Sequence, residues 1–178
     1  MRFFSASPAQ ALPSQVLPQV LVALLLALAV AAAPARAQSD APLLYVCNQG
    51  EATVSLIDTE SHTVAETLDL TALGFSETAK PHHAVAEPDG SFWYLSLIGE
   101  NTILKFNADN EIVGRVPFET PGMLTLHPTR DVLLVGRSMS AVNPPQSIAM
   151  IRREDMTLEE ASTFFSRPHA ITAEMNST

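Results

Sequence analysis

A motif that opens on proline occurs three times in this chain, and a unit recurring at this spacing leaves few folds open. Residues 81–90 read PHHAVAEPDG, residues 121–130 PGMLTLHPTR and residues 168–177 PHAITAEMNS. Each has proline, a short alternating or small apolar run, a polar residue and then a turn. Their starts lie 40 and 47 residues apart. A second set agrees: VSLID from Val54, ILKFN from Ile103 and IAMIR from Ile148 recur at 49 and 45 residues. A period in the forties with several short strands in each period is the signature of propeller blades.

The segments between the turns are four to eight residues long. They are rich in Val, Ile, Thr, Phe and Tyr and punctuated by Gly, Pro, Asn and Asp, which argues for strands over helices. Four strands per blade, innermost first, then divide the chain. The first blade lacks its innermost strand and holds LLYVCN, TVSLID and TVAETLDL. The second is complete with HHAVA, FWYLSL, TILKFN and IVGRVPF. The third has MLTLH, VLLVGRS, SIAMIRR and a strand near ASTFF, with residues 153–161 as a loop and strand lead-in. A last innermost strand, HAITA, follows. The expected fold class is all-β: a partial β-propeller of about three blades of four antiparallel strands, forming an open arc. Propellers close with four to eight blades, so the chain reads as the N-terminal part of a longer propeller. An open arc leaves sheet edges unpaired and end blades uncovered, so the chain by itself should be marginal or oligomeric.

The first 37 residues read as an address rather than as fold. Residues 20–33 form an unbroken apolar run, Pro34 follows, and Ala35-Arg36-Ala37 has the small-x-small pattern of a signal-peptidase site. Cleavage before Gln38 is expected. A helix that spans a bilayer takes about 20 residues, so no stable membrane insertion is expected after cleavage. An exported protein, periplasmic or extracellular, follows. With 19 acidic and 10 basic residues and a formal charge of −9, the chain has no basic stripe. That argues against nucleic acid as a partner. The single cysteine, Cys47, lies in a strand-like run and reads as a buried thiol.

The segments LLYVCN and VSLIDT, from Leu43 and Val54, together with PHHAVAEPDGSFWYLSLIGENTILKF, resemble the YVTN-type repeat. The likeness covers most of residues 43–178. It implies an exported, seven-bladed propeller of the YVTN or YncE-like, surface-layer-type group. Lactonase-like propellers and the propeller domain of nitrous oxide reductase are more distantly similar. Gly122-Met123 and Pro128-Thr129-Arg130 depart from the pattern. The resemblance specifies fold and leaves function open, because this fold carries unrelated activities.

The candidate site residues come from the repeat. His82 and His83 open one innermost strand, and His169 takes the slot of His82 two blades later, with Gly122 between them. Innermost strands line the channel of a propeller, so these slots converge at one end. Converging neutral imidazoles could bind Cu or Zn, although alternation along a strand keeps His82 and His83 from both facing the axis. The plainer alternative, a consensus Pro-His whose ring bonds a neighbouring blade, outweighs the metal reading. Glu87 and Glu174 share a slot at the far end of that strand and are candidates for the channel rim, although a turn or inter-blade salt-bridge role outweighs that reading. No catalytic residue is assigned. No Ser-His-Asp elbow, phosphate loop or haem-attachment motif occurs. The expected function is a binding or scaffold module with an undefined protein or small-molecule ligand and no required cofactor. The alternative is a metal-dependent oxidoreductase or lactonase-like hydrolase with its site in the channel.

Overall fold

Turn residues and alternating side chains divide the chain into short antiparallel strands. In the computed structural model, residues 41–139, 146–163 and 168–174 are described, all within one unit, Ala41–Thr178. The expected leader (residues 1–37), the loop at residues 141–145 and the last four residues lie outside them. The strands are β1 (Leu43–Asn48), β2 (Thr53–Asp58), β3 (Thr63–Asp69), β4 (Pro81–Ala86), β5 (Phe92–Leu97), β6 (Thr102–Asn107), β7 (Ile112–Pro117), β8 (Pro121–Leu126), β9 (Val132–Arg137), β10 (Ser147–Arg152) and β11 (Thr157–Ser162). They form a three-stranded sheet, β1-β2-β3, and two four-stranded sheets, β4-β5-β6-β7 and β8-β9-β10-β11. All pairings are antiparallel and join neighbours in sequence. This is the all-β, partial propeller that the repeat predicts.

Local chemistry sets the turns. Gly90 takes φ 71° after Pro88, and Asp89 Oδ1 accepts from Ser91 N (3.0 Å) and Ser91 Oγ (2.7 Å). Asn107 Oδ1 accepts from Asp109 N and Glu111 N in the β6–β7 turn. The third-to-fourth strand turns of the three blades place His62, Asn110 and Met156 at positive φ, so one turn shape recurs with three different residues.

Two expectations fail. The fourth strand of the third blade, expected near ASTFF, begins earlier, at Thr157 (TLEEAS), and residues 164 and 165 lie outside the described residues. The turn at residues 153–156 is tighter than a loop, and Asp155 Oδ1 caps Thr157 N at 3.0 Å. Residues 168–174, expected as an innermost strand, carry no strand. A strand needs a hydrogen-bonded neighbour, and among the described residues there is no second strand of a fourth blade.

The core lies between the sheets. One cluster joins blades one and two through Val54, Leu56, Leu68, Trp93, Leu104 and Phe106. The other joins blades two and three through Tyr94, Ile103, Leu124, Leu133, Val135 and Ile151. β5 and β6 feed both clusters, because their alternate side chains face opposite neighbours. Both faces of the middle blade are therefore buried, and FWYLSL reads as a continuous apolar run for that reason.

Candidate functional site

The three histidines gather at one end of the innermost strands, but they do not act together. A β-bulge interrupts the β4–β5 register between Pro81 and His83, so strict alternation is lost where His82 and His83 sit. His82 turns to His169: the rings meet edge-on, 5.8 Å between centroids and 72° between planes. His83 turns to the next blade instead, and its Nδ1 accepts a hydrogen bond from Leu124 N at 3.2 Å. Only an unprotonated Nδ1 can accept, so the neutral ring carries its proton on Nε2.

His169 is fixed in the same way from the opposite tautomer. Its Nδ1 lies 2.9 Å from the carbonyl oxygen of Arg137. A carbonyl only accepts, so Nδ1 donates and the neutral ring keeps a lone pair on Nε2. The Nδ1 of His82 is buried and makes no hydrogen bond of good geometry. Burial holds His82 below the ordinary histidine value, helped by the neighbouring His169, while a polar backbone contact at Gly122 pulls weakly the other way. Burial lowers His83 too, with His82 adding to it.

Two missing Cβ atoms make this meeting possible. A Cβ on Gly122 would stand 2.8 Å from the carbonyl carbon and oxygen of Arg137. A Cβ on Gly136 would stand 2.3 Å from the carbonyl oxygen of His169. Ser96 holds the Gly136 slot one blade earlier, and its Oγ donates to Gly122 O at 2.8 Å. The same small-residue slot thus seats the next blade's innermost segment in both places. Gly122 lacks a histidine for a steric reason.

The two glutamates lie elsewhere. Glu87 follows the end of β4, roughly 15 Å along the strand from His82 at about 3.3 Å per residue. Its Oε1 accepts from Tyr94 Oη at 2.7 Å, and its Oε2 pairs with Arg153 Nη1 at 3.2 Å. Burial and the Glu87 carboxylate push the Tyr94 hydroxyl well above its ordinary value. Arg153 also pairs with Asp131 at 3.3 Å. Glu87 therefore serves an inter-blade brace beneath a cleft of about 330 Å³ that it lines with Leu126, His127 and Arg153. Glu174 is exposed. Sequence reasoning missed Arg153 and Arg137, since neither stands in a repeated slot with a counterpart cation.

Among the described residues no group of three or more His, Cys, Asp or Glu is placed to hold a metal ion. Two imidazoles, His82 and His169, come together. Cys47 is half-buried, and burial pushes its thiol up to about 11, so the thiolate that binds metal is scarce at neutral pH.

The depressed histidines have a consequence for stability. The unfolded chain takes up protons near the ordinary value of 6.5, while folded His82 and His83 resist them. Stability is therefore full above that value, falls as pH drops below it, and levels off once the folded rings also protonate. Denaturant melts from about pH 8 to about pH 5 should show that decline, and His83→Gln should flatten part of it. A profile unmoved by His83→Gln would contradict the assignment.

No family model matches the sequence, and no curated protein matches it. Solved β-propeller structures do match in fold. Hydrazine synthase of Kuenenia stuttgartiensis is 15% identical with a TM-score of 0.54, over 72% of this chain and 38% of that one. The dihydro-heme d1 dehydrogenase NirN, in complex with DHE, is 19% identical with a TM-score of 0.51, over 71% and 26%. A catalytically inactive histidine-to-alanine virginiamycin B lyase from Staphylococcus aureus, solved with quinupristin, is 14% identical with a TM-score of 0.51, over 72% and 43%. The chain spans less than half the length of each of these three chains. At such identities the likeness speaks to fold, and on fold it agrees with the sheets and their order: this chain is a partial β-propeller.

Proposed function

We propose that this chain is a segment of an exported β-propeller of the YVTN type that works as a binding module, taking its ligand at the strand ends where His82 and His169 meet. The observation that carries the reading is the Nδ1 of His82, buried without a well-formed hydrogen bond beside the His169 ring, whose Nε2 bears a lone pair. A buried polar atom left this way costs about 1–3 kcal/mol, and a bound group that uses it recovers that cost. The ligand chemistry that suits two neutral imidazoles is a borderline cation such as Zn(II) or Cu(II), or a hydrogen-bond donor. Export is supported by the apolar run at residues 20–33 and the Ala35-Arg36-Ala37 site.

The alternative of a metal-dependent oxidoreductase or lactonase-like hydrolase has one point in its favour. Its structural neighbours include enzymes, one of them inactivated by replacing a histidine. Two ligands fall short of the three that catalytic zinc sites usually draw from protein, so binding is the stronger reading.

Titrating the chain with Zn(II) and Cu(II) tests it, beside His82→Ala and His169→Ala. Each substitution should weaken binding at least about tenfold, as the loss of one ligand or its immediate support does. Equal uptake by the double variant would end the proposal. Competition by small neutral donors without metal uptake would keep the site and change its ligand class.

A further inference from the structure

At the strand ends opposite the histidines, the second and third blades present matching turns to each other. Glu87 and His127 hold one slot there. Each follows an innermost strand and precedes a proline, and its backbone N–H donates to the first residue of the next strand, Phe92 O at 2.8 Å or Val132 O at 2.9 Å. Pro88 and Pro128 stiffen the two turns. With Leu126 they form the apolar lining of the cleft of about 330 Å³ between them, and every lining residue belongs to the second or third blade. Ligand pockets run from about 300 to 1,000 Å³, so this cleft takes one side chain or a small molecule. One backbone slot carrying unlike side chains makes the polar lining particular to this junction.

The charges around the cleft are unevenly committed. Arg153 reaches it from the turn after β10. Its guanidinium is held by Glu87 Oε2 (3.2 Å), Asp131 Oδ1 (3.3 Å) and the carbonyl oxygen of Arg130 (2.9 Å). Lys105 is 7% exposed, with its Nζ 2.7 Å from the Arg153 carbonyl oxygen and 3.9 Å from the Phe92 ring centroid. Both cations are thus taken up within the brace, and so is Glu87, between Arg153 and the Tyr94 hydroxyl. Asp89 is the one lining carboxylate that makes no ion pair among the described residues. Its two bonds from Ser91 both fall on Oδ1, so Oδ2 can take another donor. Those bonds hold its carboxyl below the usual range, and Arg153 adds to that from beyond ion-pair distance. On the other wall His127 Nδ1 accepts from Thr129 N at 3.2 Å and Arg130 N at 3.1 Å. A neutral ring used in that way carries its proton on Nε2, which leaves a donor there.

We propose that this cleft seats a basic side chain, arginine or lysine, of a partner peptide. The cationic head pairs with Asp89, the apolar stem lies on Pro88, Leu126 and Pro128, and a peptide carbonyl accepts from His127 Nε2. Three features carry the assignment. The uncommitted charge in the lining is negative, which selects a cation over a phosphate or a carboxylate. The apolar lining suits the methylene stem that long basic side chains lay along such surface while the head stays in water. The whole chain carries a formal charge of −9, a field that draws a cationic partner in and turns an anionic one away. A hydrogen bond between two charged groups is also the shorter and stronger kind. The cleft lies at the far end of the strands from His82 and His169, so it stands or falls apart from the ligand reading there.

Titrating the isotope-labelled full chain with a capped pentapeptide, one arginine among glycines, tests this by NMR. The amides of Gly90, Ser91, Thr129 and Arg130 should shift and saturate. The same peptide with citrulline, the neutral isostere of arginine, should bind about threefold more weakly, the size of a partly exposed ion pair. Asp89→Asn should bring the arginine peptide down to the citrulline level. Its side-chain oxygen can still cap Ser91, so the turn persists. His127→Asn keeps a cap for Thr129 and Arg130 but removes the ring donor, and it should weaken both peptides alike. Raising the salt from about 0.1 M to about 1 M shortens the screening length from about 10 Å to about 3 Å. That should weaken the arginine peptide more in the native chain than in Asp89→Asn. All titrations are run without Zn(II) or Cu(II), which keeps their outcome separate from that of the histidine site. Equal binding of the two peptides, native affinity in Asp89→Asn, or unmoved signals at these four amides would overturn the proposal. Agmatine binding as tightly as the arginine peptide would overturn the peptide as the occupant.

Discussion

Replacing Trp93 with alanine should lower the unfolding free energy by about 3–5 kcal/mol, the range for emptying a buried tryptophan site. Trp93 is 1% exposed and stacks flat on Phe106, 4.1 Å between centroids and 8° between planes. Tyr45 of the first blade packs on it at 4.8 Å. Its Nε1 donates to Asn110 Oδ1 at 3.0 Å, and Asn110 Nδ2 donates onward to Glu66 Oε2 at 2.6 Å. One side chain thus ties two blades by packing and by a polar chain. The cavity lies between sheets, so relaxing into it would mean sliding one blade over another. Against a total of about 5–15 kcal/mol for an ordinary domain, the loss would leave the fold near its limit. Trp93→Phe keeps most of the area and should lose much less. Chemical denaturation of the three proteins decides it. A loss below about 1 kcal/mol for the alanine variant would mean the first junction does not depend on this stack.

Arg137→Met should cost about 2–4 kcal/mol, for a different reason. Arg137 is 1% exposed and its guanidinium carbon lies 3.8 Å from the Phe118 ring centroid. It donates to Ser147 O (3.3 Å), Ser147 Oγ (2.9 Å), Glu160 Oε2 (3.0 Å) and Glu119 O. Burial lowers its proton affinity, and Glu160 and Glu119 oppose that. Methionine fills the volume but strands those acceptors, each worth about 1–3 kcal/mol when buried. Breaking a buried ion pair typically costs about 3–5 kcal/mol. Glu160 is 48% exposed and can return to water, which trims the figure. Glu160→Gln, judged by the same melts, should therefore cost less than Arg137→Met. The reverse order would show that the charge pair, rather than the fan of hydrogen bonds, holds the third blade. The backbone of Arg137 also holds Pro168 and His169, so the same variant should disturb the His169 ring.

Most strands were legible because their cause is local. VSLID, ILKFN and IAMIR recur with the same alternation, and their neighbours carry turn residues whose side chains cap the turns they make. The failures have long-range causes. Residues 168–174 have a strand sequence and form no strand, since pairing needs a partner that alternation cannot supply. TLEEAS is a strand with a helix-like composition because β10 pairs along its whole length. The histidines were recognised as a repeated slot and alternation already separated His83 from His82, yet their partners, Leu124 N for one and the His169 ring for the other, come from distant parts of the chain. For Glu87 the sequence offered an inter-blade salt bridge, but its partner, Arg153, stands 66 positions on and could not be named from the sequence.

By itself the sequence determined the period, the three blades, the turn chemistry and the end of the strands at which histidine recurs, because each follows from residues within a few positions of one another. Tertiary structure alone decided that His82 meets His169 while His83 serves Leu124, that Arg137 is buried, and that Arg153 is half-buried in an ion-pair brace. Those outcomes depend on two adjacent sheets and on how closely they approach, and the absent Cβ atoms of Gly122 and Gly136 set that distance.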